Sequence, residues 1–213
     1  MSRYNICTGL RRSGTSMLML ALRTAGIPII GYKFSTYFPI NDNQMGISCE
    51  PTPKLRNGNP NGYWEMGTIT TETGLKAEHK DIGMDGDVIK IVCDALYRSD
   101  PELIDKVVLI TRGIKNTIAS QMKSKIFTDL EVAVNKNQKD FDKTIDWLKV
   151  YKKPYLNISY EELVRNPLNL KKVTDFLGKG DYKEGSKIIR NDFTQKTTRD
   201  YSKSSKVQSN QSR

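Results

Sequence analysis

The stretch TGLRRSGTSML, residues 8–18, decides how the rest of this chain is interpreted. It follows the short apolar run YNICT at residues 4–8 and leads into a segment whose apolar residues have helical spacing. Gly9 and Gly14 have the separation of the two glycines in the phosphate-binding pattern G-x-x-x-x-G-K-[ST], which is informative only between a strand and a helix. The sequence therefore predicts a strand, an anion-binding loop and a helix in this order.

The loop is rich in groups that can hold an anion. Glycine permits a tight turn, and a helix that begins near Gly14 directs free N–H groups and the positive end of its dipole at a ligand. The side chains that can add charge or donors are Arg11, Arg12, Ser13, Thr15 and Ser16. Thr15 stands where nucleoside triphosphate enzymes carry lysine, and the positive charges come earlier, which argues against an ordinary ATPase.

Strand and helix patterns alternate along the chain. Apolar runs without polar alternation are typical of strands buried on both faces of a parallel sheet, and three more of them lie at residues 87–93, 106–111 and 154–159. Helical patterns occupy residues 114–124, part of 137–151, and 166–178, where Gly178 is a stop signal. This alternation predicts an α/β fold, with a P-loop-containing parallel β-sheet flanked by helices in a single domain over residues 1–192.

Two segments do not follow this alternation. Residues 39–63 combine Pro, Gly and Asn without periodicity, which favours a long loop of the kind that forms lids or binding surfaces. Residues 193–213 form a basic, polar C-terminal tail with little apolar surface to bury, so we expect a mobile segment there.

Charge favours an anionic partner. Among 213 residues, 34 Lys and Arg outnumber 24 Asp and Glu, which gives a formal charge of +10 and long-range attraction for anions. We expect no nucleic acid, because aromatic residues are only 8% of the chain and do not interleave with a basic stripe as a stacking platform requires.

The remaining composition favours a cytoplasmic protein. No run approaches the roughly 18 consecutive apolar residues of a membrane span, and the first residues have no leader-like pattern. Cys7, Cys49 and Cys93 are an odd number without metal-site spacing, so we expect buried thiols in a reducing compartment and no metal.

Two segments resemble the sulfotransferases that use 3′-phosphoadenosine 5′-phosphosulfate (PAPS). RRSGTS, residues 11–16, is similar to that family's 5′-phosphosulfate loop P-[RK]-S-G-T-[ST], with Arg11 where proline is usual. Farther along, Arg112 and Ser120 have the separation of the family's R-x-P-x-x-x-x-x-S, whose arginine and serine bind the 3′-phosphate, although Ile114 replaces the common proline. An arginine fork and a serine hydroxyl are also chemically suited to phosphate oxygens.

A third segment, YLNISYEELVRNPLNLKKVTDFLG at residues 155–178, is similar to the family's strand, Y-E-[DE]-L, N-P and F-L-G. The resemblance implies that Tyr160 approaches the adenine. It also implies that Arg12 neutralises charge around the phosphosulfate during transfer to a hydroxyl or amine acceptor, with Ser13, Gly14, Thr15 and Ser16 as donors; a fixed donor of this kind contributes roughly 3 kcal/mol in a transition state. The acceptor itself is not indicated by these motifs.

Two residues are candidates for the general base. Glu65 lies in NPNGYWE, which resembles a stretch of bacterial-type members that use a glutamate, and the neighbouring aromatic residues would raise its pKa. The alternative for Glu65 is a helix-start carboxylate. His79, the only histidine, lies on a polar stretch and is expected to be exposed. Lys90 corresponds to a lysine often seen in the family's next strand and would contact the sulfuryl group or extend from the strand end.

Two other functions remain open at this point. One is a P-loop kinase-like phosphotransferase that uses ATP, with Asp94 after an apolar strand as a magnesium ligand. The other is a nucleotide- or nucleic-acid-binding module without chemistry.

Overall fold

A computed structural model of the chain describes residues 2–31, the backbone of 36–41 and 44–48, and residues 69–189. The predictions for Glu65, for Cys49, for most of the segment 39–63 and for the tail 193–213 lie outside the described residues.

The centre of the fold is a five-stranded, all-parallel sheet of order β2-β5-β1-β6-β7, so the expected α/β class is confirmed. Strand β1 lies in the middle, and both of its neighbours come later in the chain. The described strands are β1 (Tyr4–Thr8), β2 (Ile29–Ile30), β3 (Thr36–Asn41), β4 (Gln44–Ser48), β5 (Val88–Lys90), β6 (Ile104–Thr111) and β7 (Tyr155–Ser159).

Helices flank the sheet. The described helices are α1 (Thr15–Thr24), α2 (Cys93–Leu96), α3 (Ile114–Lys123), α4 (Leu130–Val150), α5 (Tyr160–Arg165), α6 (Leu170–Leu177) and α7 (Tyr182–Ile188). Helix α7 packs against α1 and α6, and α4 packs against α2 and α3. Short 3-10 turns lie at Ala77–His79, Pro101–Leu103 and Pro167–Asn169.

Both faces of the sheet are buried, as the apolar runs predict. Ile6 and Cys7 are adjacent in β1 and fully buried, yet they belong to two different core clusters. The cluster around Cys7 includes α1 and α6, whereas the cluster around Ile6 includes Trp147 and Leu148 of α4. Successive side chains of a strand point to opposite faces, so β1 supports both layers of the core.

Two helices begin elsewhere than the pattern predicts: α6 starts at Leu170 rather than at residue 166, after the 3-10 turn Pro167–Asn169. Helix α4 begins at Leu130, seven residues before the predicted segment, and the Asp129 side chain caps it by accepting a hydrogen bond from the Val132 N–H at 2.9 Å. Leu130 and Val132 are exposed, so apolar residues do not mark the buried face there. The stop at Gly178 is confirmed, because this residue has a φ of 74° at the end of α6.

The segment expected to be a long loop contains regular structure. Strands β3 and β4 pair in an antiparallel ribbon, so the irregular interpretation is wrong for residues 39–41 and 44–48. Thr36, Tyr37 and Phe38 precede Pro39 and have high strand propensity, and a two-stranded ribbon has edges that tolerate a proline.

Within the described ranges, every helix is too short or too polar to cross a lipid bilayer.

Candidate anion-binding site

The loop between β1 and α1 is a tight turn at the carboxyl end of the central strand. The Ser13 N–H donates to the Leu10 carbonyl at 3.0 Å. Arg12 and Gly14 both have positive φ, at 70° and 108°. Helix α1 starts directly afterwards at Thr15, and the first N–H groups of a helix have no partner within the helix itself.

Both loop glycines are required by close approaches. A Cβ on Gly9 would lie 2.5 Å from the carbonyl oxygen of Ile110, and one on Gly14 would lie 2.4 Å from Cδ2 of Tyr160. Real Cβ atoms essentially never come so close, and Gly14 also has a φ that disfavours other residues. The glycine spacing therefore reflects the packing of the loop against β6 and the Tyr160 ring.

Arg12, Arg112, Ser120 and Tyr160 converge on this loop. The Arg12 Nε donates to Ser120 Oγ at 3.1 Å, and the Arg112 Nη1 donates to the Arg12 carbonyl at 3.2 Å. The Arg112 guanidinium also lies 4.7 Å from the Tyr160 ring centre, a cation–π contact. Arg112 follows β6 and Tyr160 follows β7, and the carboxyl ends of parallel strands meet at one edge of a sheet.

Several buried polar atoms at this edge have no hydrogen-bond partner within the described residues, among them Thr8 Oγ1 at the end of β1. Arg112 Nε and Ser13 Oγ are inaccessible and have no hydrogen-bond partner within the described residues. Leaving a buried donor unpaired costs about 1–3 kcal/mol, and more for a charged group. Such atoms are chemically suited to phosphate or sulfate oxygens, which only accept hydrogen bonds.

Lys90 approaches the first turn of α1. Its residue is 5% exposed, and its Nζ donates to Ser16 Oγ at 3.0 Å. Thr15, next to Ser16, is itself buried. Position 90 is the last residue of β5, so a long cationic side chain reaches the loop from the neighbouring strand.

His79 lies at the opposite edge of the sheet. It is only 4% exposed, so the expectation of an exposed histidine is wrong. Its backbone carbonyl accepts from the Tyr4 hydroxyl at 3.1 Å, and its Nδ1 accepts from the Lys76 N–H at 3.0 Å. Tyr4 begins β1 and Thr8 ends it, which separates the two edges by roughly 13 Å at about 3.3 Å per residue.

Sequence reasoning missed an amide pair that holds the loop. Gln121 Nε2 donates to the Arg11 carbonyl at 2.8 Å and to Asn137 Oδ1 at 3.0 Å. The Asn137 Nδ2 donates in return to Gln121 Oε1 at 2.7 Å and to the Ala133 carbonyl at 2.8 Å. Both side chains are buried, so α3 and α4 fix the loop backbone through one carbonyl.

An ionic network lies beside the loop. Asp94 Oδ2 is 3.7 Å from Arg11 Nη2 and 3.9 Å from Lys136 Nζ, and the same Nζ is 2.5 Å from Asp140 Oδ2. Burial raises the pKa of Asp94, although Arg11 opposes the rise. The Tyr97 hydroxyl donates to Asp140 Oδ1 at 3.1 Å. The only sequence signal was the position of Asp94 after a strand, read there as a possible magnesium ligand.

Comparison with known proteins adds no family to this geometry: no protein-family model and no curated protein matches the chain.

Proposed function

We propose that this protein is a sulfotransferase that uses PAPS and transfers its sulfuryl group to a hydroxyl or amine acceptor. The observation that carries the proposal is the position of Arg112. Its Nη1 donates to the Arg12 carbonyl, and its buried Nε has no partner within the described residues. A cationic side chain in this position would bind a second anionic group, next to the one that the loop itself would hold.

The residues at the loop fit the nucleotide part of PAPS. The loop donors and the start of α1 would hold the 5′-phosphosulfate, and Arg112 with Ser120 would hold the 3′-phosphate. Ser13 Oγ and Arg112 Nε, which have no partner among the described residues, are the atoms that would donate to such oxygens. Tyr160 packs against Gly14 and Arg112, so its aromatic ring lies at the edge of the sheet where the adenine would bind.

The chain's own groups would act as follows. When bound, PAPS supplies a sulfuryl group: its sulfur–oxygen bond to the 5′-phosphate breaks as a bond from sulfur to the acceptor oxygen or nitrogen forms. Arg12 and Lys90 would stabilise the negative charge that moves onto the phosphate, because Arg12 belongs to the loop and Lys90 Nζ donates to Ser16 Oγ in the first turn of α1. The acceptor must lose a proton, and we propose Glu65 as the base that takes it.

The proposal includes action in a reducing, cytoplasmic compartment. Cys7 and Cys93 are free and buried, and burial raises the pKa of each thiol to about 12. Thiols that stay protonated are inert packing residues, as is usual in reducing compartments.

Thermal unfolding with a panel of ligands tests the proposal. We expect 3′-phosphoadenosine 5′-phosphate to raise the unfolding temperature more than adenosine 5′-phosphate does, since a ligand stabilises the state that binds it. ATP with magnesium tests the kinase-like alternative, and a DNA oligomer tests the nucleic-acid-binding alternative. Equal or greater stabilisation by either of these two would overturn the sulfotransferase proposal.

A further inference from the structure

A pocket of about 240 Å³ lies beside the loop, between α2, α3 and α4. Arg11 forms part of its wall and is adjacent in sequence to Arg12. The polar lining comes from Asp94, Gln121, Asn137, Asp140 and Lys136, and the apolar lining from Leu10, Ile126 and Phe127. Pockets for drug-sized ligands are about 300–1,000 Å³, so this one suits a smaller molecule, about one ring in size.

One oxygen of the lining is buried without a partner among the described residues. Asp94 is 9% exposed, and its Oδ1 is inaccessible and without a hydrogen-bond partner in the part of the chain that the structure describes. Its other oxygen is the one that faces Arg11 and Lys136. A buried carboxylate oxygen is normally hydrogen-bonded, so Asp94 Oδ1 is available to accept from a donor on a ligand.

The amide groups of the lining also lack spare donors. Both N–H groups of Gln121 are engaged by the Arg11 carbonyl and Asn137, and both N–H groups of Asn137 are engaged by Gln121 and the Ala133 carbonyl. Their oxygens retain lone pairs, because an amide oxygen can accept two hydrogen bonds. The pocket therefore offers acceptors to a ligand that brings donors.

The charges of the lining balance each other. Two cations, Arg11 and Lys136, face two carboxylates, Asp94 and Asp140. An ammonium or a carboxylate on the ligand would have to compete with an existing ion pair, and desolvating it would add a penalty. A neutral ligand with several hydroxyl groups makes its hydrogen bonds without breaking these pairs.

We propose that this pocket is the acceptor site and that it takes a small neutral polyol ring of the size of a monosaccharide. Asp94 Oδ1 accepts a hydrogen bond from a hydroxyl that does not react, and Phe127 with Ile126 covers the apolar C–H face of the ring. This inference rests on the proposed sulfotransferase function, and it assigns that function a substrate class.

Ring compounds of similar size and different charge test the assignment. The probes are methyl glucoside and myo-inositol as neutral rings, glucosamine as the ammonium and glucuronate as the carboxylate, each added with 3′-phosphoadenosine 5′-phosphate. Saturation-transfer NMR on the full chain measures binding. We expect a neutral ring to bind better than both charged rings.

Asp94→Asn should then weaken neutral-ring binding roughly tenfold or more, the usual effect of losing a charged hydrogen-bond partner. Asp175→Asn is the matched control: it removes the same charge from an exposed pair with Lys171 on α6 and should change nothing. Phe127→Ala should also weaken ring binding, and it keeps the test decisive if Asp94→Asn fails to fold.

The outcomes distinguish a failure of this inference from a failure of the proposed function. If 3′-phosphoadenosine 5′-phosphate binds but no neutral ring does, or if a charged ring binds better, the polyol assignment falls and the sulfotransferase proposal stands. If the nucleotide does not bind, the acceptor role of the pocket falls with the proposed function, even where a ring still binds.

Discussion

The guanidinium of Arg112 lies 4.7 Å from the ring centre of Tyr160 and donates to the backbone carbonyl of Arg12, which joins three chain segments at one edge of the sheet. A cation–π contact contributes about 0.5–2 kcal/mol. The orientation of Arg112 is thus set by protein contacts alone, so binding of an anion there requires little ordering of this side chain.

Arg112→Ala should separate the two phosphate positions of the nucleotide. We expect the affinity for 3′-phosphoadenosine 5′-phosphate to fall roughly 10- to 100-fold, and the affinity for adenosine 5′-phosphate to change little, because the proposal assigns only the 3′-phosphate to Arg112. Isothermal titration calorimetry measures both. Lys115→Ala removes an exposed charge three residues away, in the first turn of α3, and should leave both affinities unchanged. Equal losses for the two nucleotides would mean that Arg112 supports the loop rather than the 3′-phosphate.

Gly14→Ala should destabilise the loop by two separable effects. The residue has a φ of 108°, and its new Cβ would overlap the Tyr160 ring. Left-handed backbone costs about 1–2 kcal/mol for a residue with a side chain. Gly26→Ala is the control, since Gly26 has a φ of 80° and nothing within 4 Å. We expect chemical denaturation to show a larger loss for Gly14→Ala, and equal losses would argue against the contact with Tyr160.

Glu65→Gln should lower turnover roughly 100-fold or more, with nucleotide affinity and unfolding temperature almost unchanged, if Glu65 is the base. Steady-state assays with labelled PAPS measure turnover once an acceptor is found. A helix-start carboxylate would instead lose about 1 kcal/mol of stability and keep its turnover.

His79→Asn is the comparison for that experiment. His79 is buried at the amino edge of the sheet, so we expect the substitution to lower the unfolding temperature and to leave turnover largely intact. If His79→Asn folds normally but loses turnover, then His79 rather than Glu65 is the base.

Asp94→Asn should change the pH dependence of stability. Burial raises the pKa of Asp94 above its ordinary 3.8, so the wild-type protein loses stability as the pH rises through the raised value and Asp94 ionises. Asparagine does not ionise. The free energy of unfolding should therefore shift in favour of the variant as the pH rises, and the two proteins should converge in acid. Asp175→Asn corrects for the change in net charge, and a constant difference across pH would refute the expectation.

The convergence of the loop, Arg112 and Tyr160 was predictable from sequence because each follows an apolar strand. Parallel strands bring their carboxyl ends to one edge, so motifs roughly a hundred residues apart meet without any knowledge of tertiary contacts. The spacing of Gly9 and Gly14 indicated an anion-binding loop because a strand precedes these residues and a helix follows them.

The polar wall of the pocket was not predictable in this way. Asn137 and Asp140 line the pocket from α4, and with Thr144 they make the middle of the buried face of this helix polar, where an amphipathic pattern expects apolar residues. Their partners lie on α2 and α3, and no single-sequence pattern pairs one helix with another. The burial of His79 was not predictable either. The residues next to it in the sequence are polar, and they give no sign of the turn that packs it against Tyr4.

The position of β1 has a consequence for how the chain folds during synthesis. Its five residues are all buried, yet β5 and β6, which cover its two edges, end only at Lys90 and Thr111. A ribosome must therefore expose about a hundred residues before the middle of the sheet can form, and such non-local pairing is slow. Until then the apolar segment YNICT has unpaired edges on both sides, which makes the nascent chain a natural client for chaperones.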